Sequence, residues 1–299
     1  MGGDAQPDAT ALVRYDAAVH ARVAQRLWAG AGTFWRLDVA ALRDWPDGLV
    51  AVDRTGTPVG FVAIDPAGAI PFLVVEPAHR HRGIGRALLD RATGLLAHAG
   101  RTVITAGSGG GVSVWPGVPT DLTPACRLFE RAGWSADHQT FDLLQDLADY
   151  ATPAAVSIRA RSAGLSAAVE PAGAEVLAFE RREFSHWLPY YERPSGDVLV
   201  VRDEHGTVVA AALVDGPGVA SPFAPMLGPA AATIGCVGVA AQRQGHGIGT
   251  YLLARASELL RQRGAHICHI SWTTRASFYR RLGYRDWRSY LMYRRTSGC

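Results

Sequence analysis

Two short segments carry the strongest chemical signal in this chain. Arg80-His-Arg-Gly-Ile-Gly85 and Gln244-Gly-His-Gly-Ile-Gly249 each follow an apolar run, Ile70–Val75 and Thr233–Val239, and each opens a helical pattern. A strand that runs straight into the first turn of a helix leaves backbone N–H groups without intrahelical partners. The helix dipole adds positive character at that end. Glycines there let a bulky anion approach the backbone. The arrangement suits a pyrophosphate, and Arg80, Arg82, Arg86 and Arg243 stand near enough in sequence to add charge-assisted contacts. One such turn alone is equally well a plain tight turn. A Walker loop is excluded because the chain has no lysine. A Rossmann fingerprint is excluded as well. Each Gly-x-Gly lacks the third glycine and sits in mid-domain, not in the first strand–helix unit.

The elements around the turns repeat. Val75–Leu89 aligns with Val239–Leu253 without a gap, and Cys126–Trp134 echoes Ala276–Tyr284. The first copy has the longer connection, a Gly- and Pro-rich loop over 107–122. A repeat of this length predicts two tandem domains. The polar stretch at 149–155 divides them, so the expected domains are 1–150 and 156–299. Each half reads as a short strand (Leu12–Tyr15; Val156–Ala160), helical segments (about 17–45; about 175–191) and two strands around a tight turn. The glycine-turn strand, its helix, a further strand (101–105; 266–270), a helix and a final strand follow. A mixed α/β sheet with helices on both faces is the natural packing.

Composition narrows the class. The 299 residues are 48% hydrophobic and 19% charged, as in a soluble globular protein with a sizeable core. Lys+Arg of 30 against Asp+Glu of 27 gives a formal +3, too weak and dispersed to point to nucleic acid. The N-terminus lacks a basic start and an apolar stretch, so no signal peptide is expected. No apolar run suits a bilayer span, and no membrane partner is expected. Cys126, Cys236, Cys268 and Cys299 form no C-x-x-C pair and no metal-ligand spacing with histidine, so no metal is expected. A reducing cytoplasm is the expected compartment.

The two turns together resemble the (Arg/Gln)-x-x-Gly-x-(Gly/Ala) signature of the GCN5-related N-acetyltransferases. Ser277-Phe-Tyr-Arg-Arg-Leu-Gly-Tyr284 is similar to that family's later Leu-Gly-(Phe/Tyr) motif. The resemblance covers nearly the whole chain as two copies, like the tandem bacterial members. It implies an α/β fold class: two tandem domains of this type, each with a mixed, mostly antiparallel central sheet flanked by helices. It also implies acetyl-CoA as co-substrate and direct attack by a small-molecule amine. The implied cofactor contacts are Val237, Gly238, Val239, Gln244, Gly245, His246, Gly247, Ile248, Gly249 and Thr250 in the second copy. In the first they are Val74, Val75, Arg80, His81, Arg82, Gly83, Ile84, Gly85 and Arg86. Backbone N–H groups near Val74–Val75 or Val237–Val239 would stabilise an oxyanion.

Tyr279 stands where the family keeps its general acid, whereas the first copy has Phe129, which cannot donate a proton. Glu183 and His186 fall in the aromatic stretch Arg182–Tyr191, on the family's substrate side, and are the candidates for the base. Two assignments stay open. In one, the C-terminal half is catalytic and the N-terminal half is a degenerate CoA-binding or structural partner. In the other, the more basic first turn holds the acetyl-CoA. A monomer and a homodimer are both compatible with the sequence.

Overall fold

The computed structural model describes residues 11–31, 45, 47–107, 115–219 and 223–296. Residues 32–44 of the first helical segment, 108–114 of the glycine-rich loop and Cys299 lie outside that set. The strands in chain order are β1 (Ala11–Arg14), β2 (Asp47–Val52), β3 (Pro58–Asp65), β4 (Ala69–Val75), β5 (Val103–Ala106), β6 (Val118–Pro119) and β7 (Ser135–Asp146). Then come β8 (Ser166–Glu170), β9 (Asp197–Arg202), β10 (Val208–Asp215), β11 (Ala231–Val239), β12 (Ile267–Thr273) and β13 (Arg285–Thr296).

Two compact units divide the chain. The first takes the residues up to Thr140 and those from Arg288 onward; the second is Phe141–Trp287. In the first unit β1, β2, β3 and β4 pair antiparallel in order, β5 joins β4 in parallel, and β13 joins β5 antiparallel. In the second unit β8, β9, β10 and β11 pair antiparallel, β12 joins β11 in parallel, and β7 joins β12 antiparallel. Both units are the mixed, largely antiparallel sheets that the sequence predicts.

The strand that completes each sheet belongs, by sequence, to the other half. β7 and β13 are twelve residues each and run from one unit into the other. The units therefore do not coincide with a cut at 149–155. Hydrophobic alternation marks a segment as a strand but says nothing of its pairing partner. A second difference is local. Val156–Ala160 is helical, inside the helix Ala154–Ser162, and the opening strand of that unit is β8. The alternation Val-Ser-Ile-Arg-Ala imitates a strand, but the surrounding Ala and Arg favour helix, and Gly164 in the left-handed region (φ 63) stops it.

Each sheet is sealed by the helix that follows its glycine turn. The helix Ile84–His98 buries Ile84, Leu88, Leu89, Ala92 and Leu96 against Val62, Ile70 and Ile104. The helix Ile248–Gln262 buries Ile248, Leu252, Leu253, Ala256 and Leu260 against Val209, Ile234 and Cys268. Among the described residues no helix is long and apolar enough to cross a membrane. Leu88 and Leu252 are fully buried. Truncating either to alanine should cost about 2–5 kcal/mol through lost apolar burial and a residual cavity, read as a lowered urea midpoint.

Candidate functional site

In each unit a parallel strand pair parts soon after it forms. β4 and β5 are in register only at Ala69↔Thr105 and Ile70↔Ala106. β11 and β12 are in register only at Ala231↔Ile267, Ala232↔Cys268 and Thr233↔His269. The rest of β4 and β11 keeps an antiparallel neighbour on one edge and loses the parallel one on the other. The Ala240 N–H bonds Val209 O on β10. Alternation along a strand then turns the Val239 N–H group to the opposite edge, where β12 has departed, while Val237 lies at the irregular stretch that follows Gly238. In the first unit the Glu76 N–H bonds Val59 O, and Val75 and Leu73 face the β5 edge by the same rule.

The two edges are otherwise unlike. The β10–β11 register breaks between Gly238 and Gly235, and Cys236 there takes a left-handed conformation (φ 49). Such a bulge re-aims the backbone beside it. The β3–β4 register is unbroken over the matching stretch, from Gly60↔Val75 to Ala63↔Phe72. In the first unit, moreover, other side chains take up the edge. The Trp115 indole N–H donates to Pro71 O at 2.8 Å, and its ring stacks on Trp28 and meets Phe72 edge-on. A Cβ on Gly107, at the end of β5, would lie 2.6 Å from the Gly117 Cα. The segment from Trp115 thus lies directly against the parting strands.

The glycine turns match closely. Gly83 and Gly247 each precede their helix in the left-handed region (φ 82), with no side chain capping the helix N-terminus. Gly245 (φ 83) and His81 (φ 62) take the same conformation at the aligned position. The second glycines differ. A Cβ on Gly249 would stand a tight 3.3 Å from Phe278, whereas one on Gly85 would make an ordinary 3.5 Å contact with Leu128. The signature's first residue is also structural. Arg80 Nε donates to Val75 O (3.0 Å) and Gln244 Nε2 to Val239 O (3.2 Å), pinning the strand end to the turn. Ile84 and Ile248 point into their cores, and Val74, Val75 and Gly238 are buried. Arg86 is held by Asp90 and the Arg131 carbonyl, and Arg243 by Asp203. His81, Arg82 and His246 are exposed.

A cation that the sequence did not reveal reaches the second turn. Arg159, in the helix Ala154–Ser162, lies over Gly247, its Nη1 3.6 Å from where a Cβ would be. Arg159, His246, Gly247, Thr250 and Tyr251 line one cleft. No sequence signal could have found Arg159, because its segment reads as a strand. Uncapped N–H groups, open left-handed glycines and this guanidinium fit an anionic group such as a pyrophosphate.

Tyr279 is buried in the helix Ala276–Arg280, edge-on to Phe278 and Tyr284. Burial pushes its phenol up to about 12, so it stays protonated at neutral pH. Phe129 is core, between Trp134 and Tyr293. Glu183 is already engaged. It accepts the Ala241 N–H at 3.1 Å and the Arg182 Nε at 2.9 Å, which hold its carboxyl below the usual range. His186 is exposed and tilts against Trp187. Phe184 crosses β11 where only a glycine fits; a Cβ on Gly238 would come within 2.4 Å of its ring. The sequence reading passed over Glu180, which is fully buried with neither carboxyl oxygen hydrogen-bonded.

A family model described as "Acetyltransferase (GNAT) domain" matches residues 45–136 and again 194–286. The chain belongs to the GNAT family and is an acyltransferase of two GNAT domains. A mycothiol acetyltransferase of Clavibacter sepedonicus is 27% identical over 274 residues, covering 84% of this chain and 81% of that protein. Among solved structures, a fungal multi-domain GH3 β-N-acetylglucosaminidase with a GCN5-related glucosamine N-acetyltransferase region superposes with a TM-score of 0.84 at 27% identity. That match covers 97% of this chain, which spans 38% of the fungal one. A tandem GNAT protein from the clavulanic acid biosynthesis pathway shares the fold, with a TM-score of 0.63 at 20% identity over 97% of this chain and 99% of that one.

The Glu183 clamp gives a test with a defined sign. Its folded-state pKa is depressed, so its stabilising contribution is complete above the ordinary carboxylate range and is lost as pH falls through the lowered value. Glu183→Gln should therefore show a shallower fall in melting temperature than the parent between about pH 5 and pH 3.

Proposed function

We propose that the protein transfers an acetyl group from acetyl-CoA to the amine of a small molecule, and that the second unit performs the chemistry. The observation that carries this reading is the bulged, open edge of β11. It combines an outward-turned Val239 N–H group, a Val237 N–H beside the bulge, the uncapped turn at Gly247 and the buried phenol of Tyr279 in one unit. Acetyl-CoA would supply an activated thioester. Residues Gly245–Thr250 with Arg159 would hold its pyrophosphate, and the β11 edge would take its pantetheine arm. The Val237 N–H would polarise the acyl carbonyl in a site shielded from water. Tyr279 would give its proton to the departing sulfur as the C–S bond breaks and the new C–N bond forms, and the proton released by the amine nitrogen would restore the phenol.

The first unit supports the division of labour. Its matching edge is taken up by Trp115, its strand is unbulged at the aligned place, and Phe129 stands for the tyrosine. Val74, Val75 and the turn Arg80–Arg86 would then serve stability. The name of the fungal relative suggests the acceptor to try first, glucosamine, and the other relative is named a mycothiol acetyltransferase. The exposed Tyr190 and the half-buried Trp187 would form part of the acceptor wall.

Calorimetry with acetyl-CoA should give one site per chain. Arg159→Ala should raise the KM for acetyl-CoA about tenfold while sparing kcat, as for one lost charge-assisted contact. Tyr279→Phe should lower kcat by about 10²- to 10⁴-fold with acetyl-CoA affinity retained. Full kcat in Tyr279→Phe across the pH range would remove the acid role. Transfer lost in variants of the Gly83 turn, but kept in variants of the Gly247 turn, would move the chemistry to the first unit.

A further inference from the structure

Glu180 sits behind the bulge that the proposed function depends on. It lies on the helix Ala174–Glu183, whose Val176 and Phe179 pack in one cluster with Tyr191, Val198 and Val200; it is fully buried, and among the described residues neither carboxyl oxygen has a hydrogen bond of ordinary length and angle. Its polar neighbour is the Tyr191 phenol, itself fully buried. That hydroxyl donates its proton to the backbone carbonyl of Cys236, at 2.9 Å. Cys236 is the left-handed residue of the β11 bulge.

A phenol has one proton to give. A neutral Glu180 can donate to the Tyr191 oxygen and leave that proton on the Cys236 carbonyl. A carboxylate could not donate, and in an apolar pocket it would draw the Tyr191 proton to itself, because a charged acceptor outcompetes a peptide carbonyl. The Cys236 carbonyl would then lose that bond.

We propose that Glu180 is a positioning residue: when protonated it keeps Tyr191 on the Cys236 carbonyl and so fixes the bulge that presents the Val237 N–H, and when it loses that proton the bulge loosens. Its consequence for catalysis rests on the acetyl-transfer reading; its effect on the strand does not. Glu180 touches no reacting atom and is not a base for the amine.

Burial pushes the Glu180 carboxyl up to about 8. The other titratable groups on this face are the Tyr191 phenol and the Cys236 thiol, both driven upward by burial, the thiol to about 12. Asp215, which bears on Cys236, is bonded by Ser195. Among these groups Glu180 alone changes charge between neutral and mildly alkaline pH. Its folded pKa is raised, so its stabilising effect is complete below the ordinary carboxylate range and is lost as pH rises through about 8.

The test is an amide NMR titration of the full chain without ligand. In the parent the Cys236, Val237 and Gly238 amides should shift together with the midpoint of the Glu180 side-chain carboxyl signal. Glu180→Gln keeps the size and a donor to Tyr191, so those amides should not titrate. Tyr191→Phe should leave the Glu180 carboxyl titrating while the amides no longer follow. Melting temperature should fall with rising pH in the parent and stay level in Glu180→Gln. Amides that titrate alike in the parent and in Glu180→Gln would overturn the proposal, as would a titrating Glu180 with unmoved amides in the parent. In the acetyl-transfer arm, the parent should lose about tenfold one pH unit above the midpoint, and Glu180→Gln should not. No transfer at any pH, with the amide titration intact, would reject the acetyl-transfer reading and leave the role of Glu180 standing.

Discussion

The early parting of a parallel strand pair governs the rest of this structure. Three registered residues join β11 to β12, and beyond them, among the described residues, no strand pairs with that edge of β11. An unpaired edge carries an energetic cost when it is buried and chemical potential when it is accessible. The glycine turn continues from that edge, the helix beyond the turn seals the sheet, and Tyr279 packs behind. These features have to be read together, because each is positioned by where the edge opens.

The same event has two outcomes in one chain. In the first unit a tryptophan donates to the strand carbonyl and aromatic packing fills the edge, so the parting becomes core. In the second unit a left-handed residue breaks the register, and a buried tyrosine secures its carbonyl from behind. The two turns share their backbone conformation at the aligned positions, with Gly83 and Gly247, and His81 and Gly245, in the left-handed region. What separates the halves lies in side chains that occupy or spare the cleft. Glu180 has the same logic: a carboxyl placed where it cannot be solvated is costly as an anion, and its position behind the bulge gives that cost a structural consequence.

Several site features were legible in the residues alone. The glycine turns, the helices that follow them and the Tyr279/Phe129 contrast could all be read from local pattern. Others were read with the wrong emphasis. The signature residues Arg80 and Gln244 pin strand ends, and Gly249 relieves packing. Arg86 and Arg243 are held by Asp90 and Asp203. Spacing places a cation near a turn but not its nearest anion. Arg159 and Glu180 were missed because each lies far from the motif in sequence and reaches the site only through packing.

By itself the sequence determined what depends on neighbours along the chain: the repeat, the strand–turn–helix units, the family and the loss of a proton donor from one copy. Periodicity and glycine conformation act over a few residues, so they survive in a one-dimensional reading. The tertiary structure alone decided which strand completes each sheet, which edge stays open, and which charges are neutralised or buried. Those outcomes follow from pairing and desolvation between segments distant in sequence. The exchange of β7 and β13 between the units and the solitary carboxyl of Glu180 are two results of that kind.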